Sequence, residues 1–167
     1  MFEFLMFSVF PAAMVLAACC DLFSMTISNR LTAGLAVAFF PIALWCGFDA
    51  QTLMMHVSAG AAMLAIGFTL FACGWIGGGD AKLFAATALW LGWTPLFEYA
   101  LWASLMGGVL TIVILFARGI PLPPRLQSET WAVRLHGARQ GVPYGIALAA
   151  AGLMIYPGLP LVPMLLR

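Results

Sequence analysis

Two aspartates, Asp21 and Asp80, stand in otherwise apolar surroundings and are the residues of this sequence best suited to acid–base chemistry. An ionisable group inside or at the edge of an apolar span is costly to keep, and by default it points to function. Two carboxylates that share a site divide one proton between them, so one acts as general base and the other donates a hydrogen bond. The same two groups could instead relay protons or hold a cation. The plainer reading of Asp80 is a helix cap, since it follows Gly77-Gly78-Gly79 and opens an apolar run. Those glycines would let the backbone adopt left-handed or extended conformations and let another chain approach closely.

The elements that must position these groups are membrane helices. The chain has 167 residues, 64% hydrophobic and 8% charged, with a mean hydropathy of +1.06. A soluble domain carries about 25% charged residues, so water is not its main solvent. A net charge of +1 implies no bulk attraction to nucleic acid. A bilayer core needs about 20 apolar residues per helix. That length predicts an all-α polytopic fold with six spans, over 3–22, 33–48, 53–74, 81–97, 99–117 and 143–164, forming one domain over 1–167. Residues 118–142 form the one sizeable loop. The box Leu16-Ala17-Ala18-Cys19 matches a lipoprotein signal, but no Lys or Arg precedes Arg30 and a secretory signal needs a basic start. Residues 1–20 are therefore expected to be a retained span.

Orientation follows from Lys and Arg, which favour cytoplasmic loops. With both termini outside, Arg30, Lys82, Arg118, Arg125, Arg134 and Arg139 fall inside, six of the seven basic residues, and only Arg167 falls outside. This topology also puts Asp21 at the cytoplasmic end of span one and Asp80 at the cytoplasmic start of span four. Glu3, Asp49 and Glu98 fall on the outer side.

The residues around the two aspartates form three ordered blocks. Asp21 is followed by Ile27-Ser28-Asn29-Arg30-Leu31-Thr32; Gly77-Gly78-Gly79-Asp80 fits G-x-G-D, with Lys82-Leu83 next; and Pro143-Tyr144-Gly145 opens the last span. In these blocks the sequence resembles the type IV prepilin peptidases of the G-x-G-D aspartyl protease group. Ser28 stands where that family often has proline. The larger bifunctional members carry two CxxC pairs in a cytoplasmic insertion tied to N-methylation, and this chain has neither. It therefore resembles the short, peptidase-only form of Tad/Flp pilus systems or of archaeal preflagellin processing. The presenilin-like branch has a late Pro-Ala-Leu element that does not occur here.

The resemblance implies a hydrolase that cuts the leader peptide from a Flp-like prepilin at the cytoplasmic face of a bacterial inner membrane. It implies Asp21 and Asp80 as catalytic residues, with Gly77, Gly79, Lys82, Asn29, Pro143, Tyr144 and Gly145 positioning them. The expected partners are the prepilin, with its leader peptide and helix, and the bilayer; no cofactor or metal is expected.

The remaining polar residues have plainer readings. His56 lies in an apolar run near the outer end of span three and reads as a satisfied or interfacial histidine, while His136 reads as a solvated loop residue. Lys82 could tune the Asp80 charge, meet a lipid phosphate, or serve only topology. Cys19, Cys20, Cys46 and Cys73 form no CxxC pair and read as buried free thiols. A transporter would need a polar path across the bilayer, but Thr69, Thr87, Ser104 and Thr111 are scattered. A non-enzymatic assembly scaffold is a third reading, in which neither aspartate would matter.

Overall fold

Ser28 and Asp49 each start a helix by accepting a backbone N–H with the side chain, from Arg30 at 3.1 Å and from Thr52 at 2.8 Å. In this computed structural model, which describes residues 2–137 and 140–165, the long helices are α1 (Phe2–Ser24), α2 (Asn29–Trp45), α3 (Ala50–Ala72), α4 (Gly78–Leu91) and α5 (Leu96–Arg118). After them come a 3-10 turn at Pro124–Leu126, α6 (Thr130–His136), α7 (Gly145–Ile155), a second 3-10 turn at Tyr156–Gly158, and α8 (Leu161–Leu165).

The helix α4 is the axis of the packing. It lies against α2, α3 and α7, while α1 and α5 flank α7. Nine of its 14 residues are buried, Ala81, Leu83 and Ala85 through Leu91. Small side chains let its neighbours come close. A Cβ on Gly60 of α3 would lie 3.0 Å from the Leu89 Cβ, and one on Gly67 would lie 3.1 Å from the Ala81 Cβ. Close backbone approach at small residues is how helices gain contact where lipid offers no hydrophobic drive. The outer faces are apolar as well: Phe68 and Phe71 of α3 and Val109 and Phe116 of α5 are exposed. Such continuous exposed apolar surface suits a lipid solvent.

The structure is that of an all-α polytopic membrane protein, but it differs from the expected six spans, of which the sequence already makes the second short and interrupts the fourth near Gly92 and Pro95. Among the described residues, three helices are long and apolar enough to cross a bilayer: Met6–Ser24, Ala50–Ala72 and Leu96–Arg118. The apolar stretches Asn29–Trp45 and Gly145–Gly158 are shorter. The fourth expected span ends at Leu91, because Gly92 takes φ +70° with the His56 ring against its α-carbon. At 14 residues α4 is about 21 Å long, short of a bilayer core. The sixth is not one helix. Pro157 and Pro160 flank Gly158 and divide it into α7, a 3-10 turn and α8.

The cysteines also differ from expectation. All four are free, yet Cys19 and Cys73 are exposed on the apolar surface and Cys20 and Cys46 are half-buried. Among lipids a thiol needs no protein core to avoid water.

Candidate active site

Asp21 lies one turn before the end of α1 and is 5% exposed. A carboxylate so enclosed needs donors, and one comes from the start of α7. The Gly145 N–H donates to Asp21 Oδ2 at 2.6 Å. The first N–H groups of a helix have no partner within it and favour negative charge nearby. The contact demands glycine: a Cβ on Gly145 would lie 2.8 Å from Asp21 Oδ2 and 2.6 Å from the Ile27 Cδ1.

Beyond Asp21 the chain turns sharply. Met25, whose N–H bonds the Asp21 carbonyl at 2.8 Å, takes φ +55°. Outside glycine that conformation costs about 1–2 kcal/mol. Here it redirects the chain so that Ile27 turns inward. Ile27 is 7% exposed and acts as a peg between two helix starts. On one side it meets Gly145; on the other a Cβ on Gly79 would lie 3.1 Å from the Ile27 Cβ.

Asp80 occupies the third residue of α4, so Gly77 is the cap position and Asp80 is not. Its carboxylate reaches back to the Gly77 backbone N–H, the reciprocal half of a capping box. A Cβ on Gly77 would lie 2.8 Å from Asp80 Oδ2, so the glycine leaves room for that return. Gly77 is extended, but none of the three glycines is left-handed; among the described residues, positive φ at glycine occurs at Gly47, Gly74 and Gly92. Space, more than a left-handed turn, is what these glycines supply. Asp21 and Asp80 are near enough for their charges to interact.

The other expected residues brace this arrangement. Lys82 Nζ donates to Asn29 Oδ1 at 2.8 Å, tying α4 to the start of α2. Lys82 and Asp80 are two residues apart and so leave the helix on different faces. Pro143 is fully buried. The Tyr144 ring packs on Gly107, where any Cβ would overlap it, and the Tyr144 hydroxyl donates to the Ala103 carbonyl at 3.1 Å. His56 is satisfied, with Nδ1 2.9 Å from the Leu89 carbonyl and its ring stacked on Phe39. Arg139 and Arg167, and the side chain of Glu3, lie outside the described residues.

Several neighbours of the site carried no sequence signal. Tyr99 of α5 is fully buried and stacks on Phe84, one turn beyond Asp80, with ring centroids 5.3 Å apart. Its hydroxyl lacks a hydrogen bond. Thr87 is near enough to influence it, but donates to Met14 Sδ at 3.9 Å. Trp131 of α6 meets Phe23 edge-on at 5.9 Å, and Arg134 Nη1 donates to the Phe23 carbonyl at 3.3 Å, so α6 rests on the end of α1. Among the described residues no cluster of three or more His, Cys, Asp or Glu side chains could hold a metal.

Cavity size alone would mislead. A space of about 1100 Å³ lies at the opposite end, lined by Asp49, His56, Trp93 and Glu98 among others, and neither Asp21 nor Asp80 borders it.

No curated protein and no solved structure matches the chain. The sequence model of the type IV leader peptidase family does, over residues 8–112, which includes Asp21 and Asp80 and stops short of Gly145. The chain therefore belongs to the type IV leader peptidase family, and is a membrane aspartic-type peptidase acting on prepilin-like substrates.

Proposed function

We propose that Asp21 and Asp80 are the catalytic pair of this peptidase. In this reading they cut the leader of a Flp-like prepilin at the cytoplasmic face of a bacterial inner membrane. The observation that carries the reading is convergence. Three stretches distant in sequence meet at the two carboxylates: Ile27 touches both Gly79 and Gly145, and Gly145 donates to Asp21. Helix caps alone would not require that meeting.

Two carboxylates close enough to repel each other hold one proton between them. The ionised member takes a proton from water as that water attacks the scissile carbonyl carbon. The protonated member hydrogen-bonds the carbonyl oxygen as negative charge develops there. When the tetrahedral intermediate collapses, the C–N bond breaks and the leaving amine takes a proton from the pair. The roles belong to the pair as a unit.

The same proposal takes the chain as one peptidase domain over 1–167 with six membrane passes and both termini outside. Arg30, Lys82, Arg118, Arg125 and Arg134 support this, because all belong to the end at which α1 finishes and α4 and α7 start. Helices shorter than a bilayer are compatible with six passes where the enclosing helices shield them and their ends lie at the interface.

Co-expression with a neighbouring prepilin tests the pair. Wild type should process the prepilin, and Asp21→Ala and Asp80→Ala should each leave it full length. Cleavage persisting in either variant would sink the pair. For orientation, an impermeant maleimide should label Gln51→Cys in intact cells, in a cysteine-free background, and reach Ser28→Cys only after lysis; the reverse pattern would invert the topology.

A further inference from the structure

Asp21 depends on the exact approach of one backbone N–H, and that N–H follows a loop with little packing of its own. Gln140 and Gly141, just upstream of Pro143-Tyr144-Gly145, are exposed. The anchor for this stretch is Arg118, the last residue of α5. Its Nε donates to the Leu135 carbonyl at 2.9 Å, and its Nη2 donates to the carbonyls of Gln140 at 3.0 Å and Gly141 at 2.8 Å. One guanidinium thus joins the end of α6 to the stretch that leads into α7. The planar fork spreads these donors over two fixed nitrogens, Nε and Nη2, whereas an ammonium must offer all of its donors from one atom.

We propose that Arg118 is a positioning residue for the peptidase reaction. By gripping the carbonyls of Leu135, Gln140 and Gly141, it aims the Gly145 N–H at Asp21. Three residues separate Gly141 from Gly145, and buried Pro143 stiffens the interval. At the far side Tyr144 is seated against Gly107 and bonded to Ala103, both on α5. Both ends of the short connection are therefore held by α5. Arg118 fixes the entry, Tyr144 fixes the exit, and Gly145 has one place to go. The basic charge of Arg118 also suits a cytoplasmic loop, but topology needs only a cation, whereas the three carbonyl bonds use two separate nitrogens of the fork.

The inference rests on the Asp21–Asp80 reading, and its test separates the two. Full-length Arg118→Lys and Arg118→Ala would be purified in micelles and assayed on a full-length prepilin beside the wild type. Both should keep KM within about twofold, while kcat falls about tenfold in Arg118→Lys and up to about a hundredfold in Arg118→Ala, the scale of a small misplacement of a reacting group. In glycine-labelled protein the Gly145 amide proton, held against a carboxylate, should resonate far downfield and move upfield in both variants. A wild-type kcat in Arg118→Lys, a change confined to KM, or an unmoved Gly145 resonance in either variant would overturn the proposal. The amide readout needs no activity, so it stands even where a variant is inert. Activity surviving in Asp21→Asn or Asp80→Asn would instead remove the catalytic pair itself.

Discussion

Asp49 and Asp80 both serve a helix start, one from the cap position and one from the third residue, and their difference shows where chemistry comes from in this fold. Asp49 caps α3 and accepts the Thr52 N–H at 2.8 Å; Asp80 sits three residues into α4 and reaches back to the Gly77 N–H. Both satisfy a backbone donor that a helix start leaves open. Asp49 is exposed, and its hydrogen bonds to Thr52 hold its carboxyl below the usual range, so it is an ordinary anion at neutral pH. Asp80 shares its surroundings with a second carboxylate, from another helix. Local capping is common to both; partial burial and the second carboxylate distinguish Asp80.

Ways to break that contrast follow from the largest effect downward. Asp80→Asn and Asp21→Asn should each lower kcat by at least about a thousandfold, because general acid–base catalysis contributes on that order. Asp49→Asn should leave prepilin cleavage at the wild-type rate; a comparable loss there would erase the distinction between the two helix starts.

Gly145→Ala tests whether enclosure matters as much as the carboxylates do. A methyl group would collide with Ile27 and with Asp21, so kcat should fall about a hundredfold while the protein still inserts into membranes. Near-normal turnover would mean that the Gly145 contact is packing alone. Lys82→Met breaks the link to Asn29 and should cost up to about tenfold in kcat/KM, in keeping with an exposed hydrogen bond. A loss as deep as that of Asp80→Asn would place Lys82 in the chemistry.

The smallest effect concerns Asp49 and pH. A folded-state pKa below the unfolded value of about 3.9 means that the capping contribution is complete above that pH and is lost as pH falls through the folded value. The Tm difference between wild type and Asp49→Ala should therefore be flat from about pH 5 to 8 and shrink only in more acid solution. A difference that varies through neutral pH would contradict the exposed setting of Asp49.

Much of the site was legible in one dimension because its parts obey local or membrane-wide rules. Composition dictated helices in lipid, and the spacing of basic residues put Asp21 and Asp80 at one end. The ordered blocks around them, with the glycines before Asp80, marked them as more than caps. Asn29 and Lys82 belonged to the right blocks, although no local rule said they would bond each other instead of Lys82 serving Asp80. Other expectations failed where tertiary contacts override local ones. The glycines before Asp80 left both left-handed and extended backbone open, and only the fold decided for an extended Gly77 and for room taken up by Asp80 and Ile27. The last span looked continuous by hydropathy, because Pro157 and Pro160 break a helix while barely lowering an apolar average.

The sequence by itself determined an all-α membrane protein with two aspartates at one end, because hydropathy, charge bias and residue type each act without knowing the neighbours, and its three ordered blocks carried the resemblance to a peptidase family. Tertiary structure alone decided the rest. It delivered the Gly145 N–H to Asp21, set Ile27 between two helix starts, and held the connection through Arg118 and Tyr144. Those contacts join residues far apart in the chain, and a hydrogen bond exists only where folding brings donor and acceptor within about 3 Å.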